Sequence, residues 1–225
     1  MRYWMLLLGF FVSLAACAED KSSAIAAEKY VENKHYTKLL APVPTIVGED
    51  KVEVTEVFRF GCPACARFEV AAKKWSERKA DYVELVKNPV VWNKDTKIRA
   101  QVYFTGKKLG VGQETADAMF AAIHNKASDP KAAYKALLKE DDIFAMFESL
   151  GVEREKAEKM YNNWTVKSMV NQADGRARAF AIAGTPEIFV DGRYRITTSM
   201  AGSYEQMLDI ASWLAAKIAA ERGIQ

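Results

Sequence analysis

The hydrophobic pattern along the chain changes period several times, and each change marks a predicted element. Residues 51–60, KVEVTEVFRF, are dense in Val and Phe and read as a buried strand. In the next stretch, CARFEVAAKKWSERKA, Phe68, Ala71, Ala72 and Trp75 fall at helical spacing, with Arg67, Glu69, Lys73, Lys74 and Glu77 on the other faces. DYVELVKNPVVW is a second strand, parallel to the first if the two are joined as a β-α-β crossover. From residue 95 to 183 the pattern is helical nearly throughout. DTKIRAQVYFTGKKLG closes on Gly110, and QETADAMFAAIHNK follows it. Asp129-Pro130 opens KAAYKALLKE, DDIFAMFESLG stops at Gly151, and REKAEKMYNNW and VKSMVNQADGRARAFAIAG complete the set, the last ending at Gly184. PEIFVDGRYRI then alternates as a hairpin, with Asp191-Gly192 suited to a type I′ turn. The closing helix starts at a Ser203/Gln206 capping box and ends at Gly223. The order β-α-β, helical block, β-β-α predicts one α/β sheet carrying a helical insertion.

Composition bounds the function without naming it. Half of the 225 residues are hydrophobic and 27% are charged, a globular balance. The net charge is +3 from 32 basic and 29 acidic residues, interleaved without a basic block, so nucleic acid is not an expected partner. The first residues are different in kind. Arg2, the apolar run YWMLLLGFFVSL and the small residues AACA form the three regions of a secretory signal, too short to span a membrane. Two cleavage sites fit. Cutting after Ala18 releases a soluble protein; cutting before Cys17, in the lipobox-like Leu14-Ala15-Ala16-Cys17, leaves a cysteine for lipidation. The second is preferred, because Cys17 is otherwise an odd thiol in a secreted chain. Removing residues 1–16 takes away Arg2, so the charge falls from +3 to +2. The polar stretch from 17 to 30 then serves as a tether to a membrane surface.

The chemistry lies in FRFGCPACARFE, residues 58–69. Cys62 falls where the strand gives way to the helix, and a helix N-terminus stabilises a thiolate through unpaired N–H groups and partial positive charge. Pro63 suits the first helical turn, where its missing N–H is not needed. Cys65, three residues on, can close a small disulfide ring with Cys62. A zinc site needs a second ligand pair, and His35 and His124 have no ligand spacing and read as ordinary surface or helix-face residues. A structural disulfide across C-x-x-C closes almost no loop and stabilises little. Redox exchange is the reading these residues favour, with no metal and no organic cofactor.

Two further features bear on it. By strand alternation Glu56 shares a face with Val52, Val54 and Phe58, and Lys87 with Val83 and Leu85. On neighbouring strands these two could meet beneath the cysteines and move a proton when Cys65 changes state; the alternatives are a structural ion pair or two side chains reaching solvent. Thr185-Pro186 makes a turn before a strand, a role any proline could fill.

FRFGCPACARFE together with GTPEIFVDGRY, and YTKLLAPVP upstream, resembles the DsbA-type thiol–disulfide oxidases of the bacterial cell envelope over roughly residues 30–220. The resemblance implies a thioredoxin fold with an inserted all-helical domain. Residues 31–94 and 171–225 would form the thioredoxin part and 95–170 the insertion. It implies Cys62 as nucleophile, Cys65 as its buried partner, and a cis Pro186 facing them, with the Thr185 backbone binding an extended substrate. Glu56 and Lys87 stand where the family has its buried acid and base. Partners implied are unfolded or newly exported cysteine-containing proteins and a DsbB-type, quinone-linked membrane reoxidant, with the protein in the periplasm. One position departs: Ala64 stands where well-known members carry His. A weaker oxidant is therefore expected, with Pro63, Ala64 and Thr185 setting its potential. The rivals are a reductase or isomerase of the same fold, and a non-enzymatic lipoprotein scaffold.

Overall fold

The computed structural model describes residues 29–124 and 133–224. The signal segment, Cys17, nearly all of the tether and the Asp129-Pro130 helix opening lie outside these residues. The described strands are β1 (Thr37–Lys38), β2 (Val52–Phe58), β3 (Val83–Pro89), β4 (Glu187–Val190) and β5 (Tyr194–Thr197). They form one sheet in the order β1-β5-β4-β2-β3. β2 and β3 are parallel, with Glu56 opposite Lys87, while β4 runs antiparallel to both β2 and β5. All seven residues of β2 are buried, as a central strand covered on both faces requires.

Helix α1 (Pro63–Ser76) makes the crossover from β2 to β3. Its inner face carries Cys65, Phe68, Ala71, Ala72 and Trp75, and the Trp75 indole donates to Ser212 Oγ at 2.8 Å. Between β3 and β4 come α2 (Lys94–Leu109), α3 (Gly112–His124), α4 (Glu140–Ser149), α5 (Arg154–Tyr161) and α6 (Trp164–Ala179). A short α7 (Thr198–Ala201) and the long α8 (Tyr204–Arg222) finish the chain. Asn93 and Thr96 form a reciprocal capping box at the start of α2, and Gly110 ends it at φ 82°. The hairpin turn has Asp191 and Gly192 at φ 56° and 61°, and the Arg193 N–H donates to the Val190 carbonyl at 3.0 Å.

Among the described residues two large apolar cores share the sheet, with a smaller cluster of Val43, Val57, Val90, Phe180 and Phe189 beside them. One packs Val52, Val54, Ile188 and Ile196 against α1 and α8; the other joins Phe58, Phe60 and both cysteines to Tyr103, Phe120, Phe144 and Phe147 of the helical block. The redox pair therefore sits in the core that binds the insertion to the sheet.

Three expectations need correction. β1, a two-residue edge strand on β5, was not foreseen, because so short a strand has no detectable period. Helix α6 stops at Ala179, not Gly184: Phe180 turns inward onto Phe189 with ring centroids 4.0 Å apart, and Ala181 adopts φ 49°. Glu69, assigned above to an outer face of α1, is only 5% exposed.

Candidate active site

Cys62 is the N-cap of α1, with an extended backbone (φ −97°, ψ 116°) and Pro63 in the first turn. The preceding turn is closed by the Cys62 N–H donating to the Arg59 carbonyl at 3.0 Å. Both cysteines are free thiols, so the structure holds the dithiol form. Cys62 is 8% exposed and Cys65 not at all, so an outside sulfur meets Cys62.

Their electrostatics differ sharply. Cys62 is pulled down from 9.0 to about 4, chiefly by the Cys65 thiol hydrogen bond, helped by Thr185 and the Cys65 and Ala64 backbone, and opposed by partial burial. Cys65 is pushed up by its hydrogen bond to Cys62 and by burial. One thiolate and one thiol share a proton-poor and a proton-rich position, and the helix N-terminus favours the same assignment.

Across the gap lies the Thr185-Pro186 peptide, which is cis. Cys62 Sγ lies 3.3 Å from the Thr185 carbonyl oxygen, to which it donates when protonated. Buried Glu187 holds this loop: its Oε1 accepts from the Gly184 N–H at 2.9 Å and the Ala183 N–H at 3.2 Å, and pairs with Arg195 at 2.7 Å. The side chain of Ala64 brings no polar group to the pair and is half-buried.

Glu56 and Lys87 are cross-strand neighbours, as the parallel register requires, but they do not bond to each other. Lys87 instead pairs with Glu69 of α1, with its ammonium 2.6 Å from Oε2. Neither Glu56 oxygen has a hydrogen-bond partner among the described residues. Burial raises Glu56 from 4.5 to about 7, with Lys87 pulling down and Glu69 pushing up. Lys87 and Glu69 line a cavity of about 340 Å³ with Gln113 and Asp117, and the Gln113 amide donates to Glu69 at 3.1 Å. Glu69 thus belongs to this charged group.

His124, read from sequence as an ordinary helix-face residue, also reaches the site. Its Nε2–H donates to the Phe60 carbonyl at 2.6 Å and its ring lies over Phe120. His35 stays apart, accepting from the Val31 N–H at 2.9 Å. The groove beside α1, about 310 Å³, mixes Ala66, Val70 and Phe120 with Lys73 and Asp117, so it is not uniformly apolar.

A dithiol at a helix start, split into thiolate and thiol and facing an X-Pro loop on this sheet, defines a thiol–disulfide oxidoreductase of thioredoxin fold. The family model described as Thioredoxin matches residues 42–210. The thiol:disulfide interchange protein DsbA of Pseudomonas aeruginosa is 30% identical over 205 residues, covering 91% of this chain and 93% of the relative. DsbA of Pseudomonas syringae pv. tomato is 29% identical over 90% of this chain and 91% of the relative. The crystal structure of P. aeruginosa DsbA superposes with a TM-score of 0.78 at 30% identity, covering 88% of this chain and 98% of that one. The chain belongs to the DsbA family of thiol:disulfide interchange proteins, and its redox couple is Cys62–Cys65.

Proposed function

We propose that this protein works in the periplasm as a dithiol oxidase for newly exported proteins, held at a membrane surface through lipid on Cys17. The observation that carries the direction is the depression of Cys62 to about 4. Stabilising the thiolate stabilises the reduced protein, and a protein stable when reduced is a strong disulfide donor. A substrate thiolate attacks Cys62 Sγ, the Cys62–Cys65 bond breaks, and Cys65 takes the electron pair and a proton. A second substrate thiolate attacks the substrate sulfur of the mixed disulfide, so the substrate leaves oxidised and Cys62 leaves as thiolate.

Glu56 is the group we assign to move the Cys65 proton, with Lys87 and Glu69 passing it toward the cavity beside α1. Its support is a carboxylate buried without a partner and raised to about 7, near the working pH. Thr185 and Pro186 are assigned to substrate binding, where an extended peptide adds alongside the loop. Pro63 and Ala64 tune the couple. A DsbB-type membrane protein is the proposed reoxidant.

The deciding measurement is the equilibrium reduction potential of Cys62–Cys65 in a Cys17→Ser chain against glutathione buffers. A potential well above the glutathione couple is expected; one near thioredoxin's would move the assignment to a reductase or isomerase. Intact mass of membrane-extracted protein tests the lipid, whose absence would make the protein soluble. Full biological activity in Cys62→Ser would sink the enzyme in favour of a binding scaffold.

A further inference from the structure

Arg99 of α2 is an anomaly that the exchange reaction leaves unexplained. It is 1% exposed, yet it forms no ion pair among the described residues. Its Nη2 donates to the Tyr134 carbonyl and its guanidinium lies 5.0 Å from the Tyr134 ring centroid. Its Nε and Nη1 have no hydrogen-bond partner among the described residues. The space they face, lined by Arg59, Phe60, Pro89, Val90, Thr96 and Arg99, is too narrow to hold water. A buried, unpaired cation costs several kcal/mol even after relaxation. Asp95 offsets it in part, without an ion pair, while Arg59, the next cation, opposes it; Arg59 has a buried Nε without a partner among the described residues and stands over Trp92 at 5.7 Å.

The position of this charge gives it a use. A Cβ built on Gly61 would stand 3.1 Å from Arg99 Nη1 and 3.0 Å from the Tyr134 ring. Only a residue without a side chain lets the guanidinium close on the redox turn this tightly. Gly61 is bonded to Cys62, so covalent geometry alone puts Nη1 within about 8–9 Å of the Cys62 Cα. Both residues are buried, and charges so placed are little screened by salt.

We propose that Arg99 is a fixed cation of the redox turn, a positioning and tuning residue that stabilises the Cys62 thiolate and so raises the oxidising power of the couple. The helical insertion thereby supplies the positive charge that the Pro63-Ala64 dipeptide lacks. The charge acts at the step in which Cys62 leaves the mixed disulfide as thiolate: the electron pair of the breaking S–S bond stays on Cys62 Sγ, on the residue bonded to Gly61. No electron or proton passes through the guanidinium. The inference rests on the oxidase reading only for its biological meaning; the electrostatic effect stands separately.

The test compares wild type, Arg99→Met and Arg99→Lys in the Cys17→Ser chain, by ultraviolet titration of the thiolate and by equilibration with glutathione. At an effective dielectric near 20, loss of the charge raises the Cys62 pKa by about one unit. The equilibrium then moves about tenfold toward the oxidised protein, about 30 mV. Arg99→Lys, which keeps the charge, restores most of both. A folded Arg99→Met with unmoved titration and potential overturns the proposal, and so does Arg99→Lys behaving like Met, since packing would then be the cause. Where Arg99→Met does not fold, Arg99→Gln decides in the same way. Failure of both neutral variants to fold makes Arg99 a structural residue and ends the proposal. A wild-type potential near thioredoxin's, with the Arg99 shift intact, would sink the oxidase reading and leave this one standing.

Discussion

At the scale of single residues, the site works by holding two like side chains in unlike states. Cys62 and Cys65 are three positions apart, but one caps a helix with a small part of its surface exposed and the other is fully buried. Glu56 extends the contrast: buried without a hydrogen-bond partner, it titrates near 7 rather than 4.5. A base acts above its pKa, so closure of the Cys65 thiol onto a Cys62–glutathione mixed disulfide should accelerate as pH rises through about 7. In Glu56→Gln that inflection should vanish and closure should slow by about 10²-fold, read by stopped-flow fluorescence. An unchanged inflection would remove Glu56 from the mechanism. Ala64→His tests the dipeptide from the other side. An imidazolium beside the thiolate should increase the thiolate fraction at low pH and raise the reduction potential; a variant unmoved in both would mean the dipeptide is not a control point here.

At the scale of elements, β2 is the member that everything else references. One face sends Glu56 and Phe58 toward the cysteines. The other sends Glu53 and Thr55 toward α6, where Arg176 bonds Glu53, lies 3.2 Å from Thr55 Oγ1 and donates to the Pro44 carbonyl at 2.6 Å. Glu53 also accepts from the Ile46 N–H at 2.7 Å, so the pair staples the segment before β2 to the sheet. Arg176→Met strands a buried carboxylate and should cost about 3–5 kcal/mol in urea unfolding, while Arg176→Met with Glu53→Leu should recover most of it. Equal losses in the single and double variants would show that the pair contributes only through packing. The same network explains what could be read in advance. The cysteines and the hairpin turn were legible because each depends on neighbours a few residues away, whereas the cis Pro186 facing the cysteines was implied only by the family resemblance. Strand alternation put Glu56 and Lys87 each on an apolar face of its strand, and the parallel register makes them opposite. Glu69 was misplaced because a helical wheel sends a charged residue outward unless its partner is known, and Lys87 stands 18 positions later. His124 reaches Phe60 across 64 positions and Arg176 reaches Glu53 across 123, separations over which a linear pattern carries no signal.

At the scale of the whole molecule, the redox state and the stability of the fold are one quantity seen twice. The reduced protein carries a thiolate whose folded pKa of about 4 lies below its ordinary 9.0; the oxidised protein has no such group. A depressed acid contributes stability that is complete above its unfolded pKa and is lost as pH falls through its folded value. Glu56 works in the opposite sense, since its raised pKa removes stability as pH climbs from 4.5 toward 7. Glu56 is present in both redox forms, and the buried Cys65 thiol, pushed up from 9.0, stays protonated below that value whether folded or unfolded, so below about 9 subtracting one form from the other isolates Cys62. The excess stability of the reduced form should therefore be small at pH 4, grow steadily with pH, and level off near 9. Urea unfolding of both forms at a series of pH values, in the Cys17→Ser chain, reads this difference directly. The slope has a thermodynamic counterpart: whatever the reduced fold gains, the disulfide loses, so the potential against a fixed substrate dithiol must change with the same pH dependence. A reduced form no more stable than the oxidised one at pH 7 would mean that the thiolate is not held by the fold, and the oxidising character would lose its physical source.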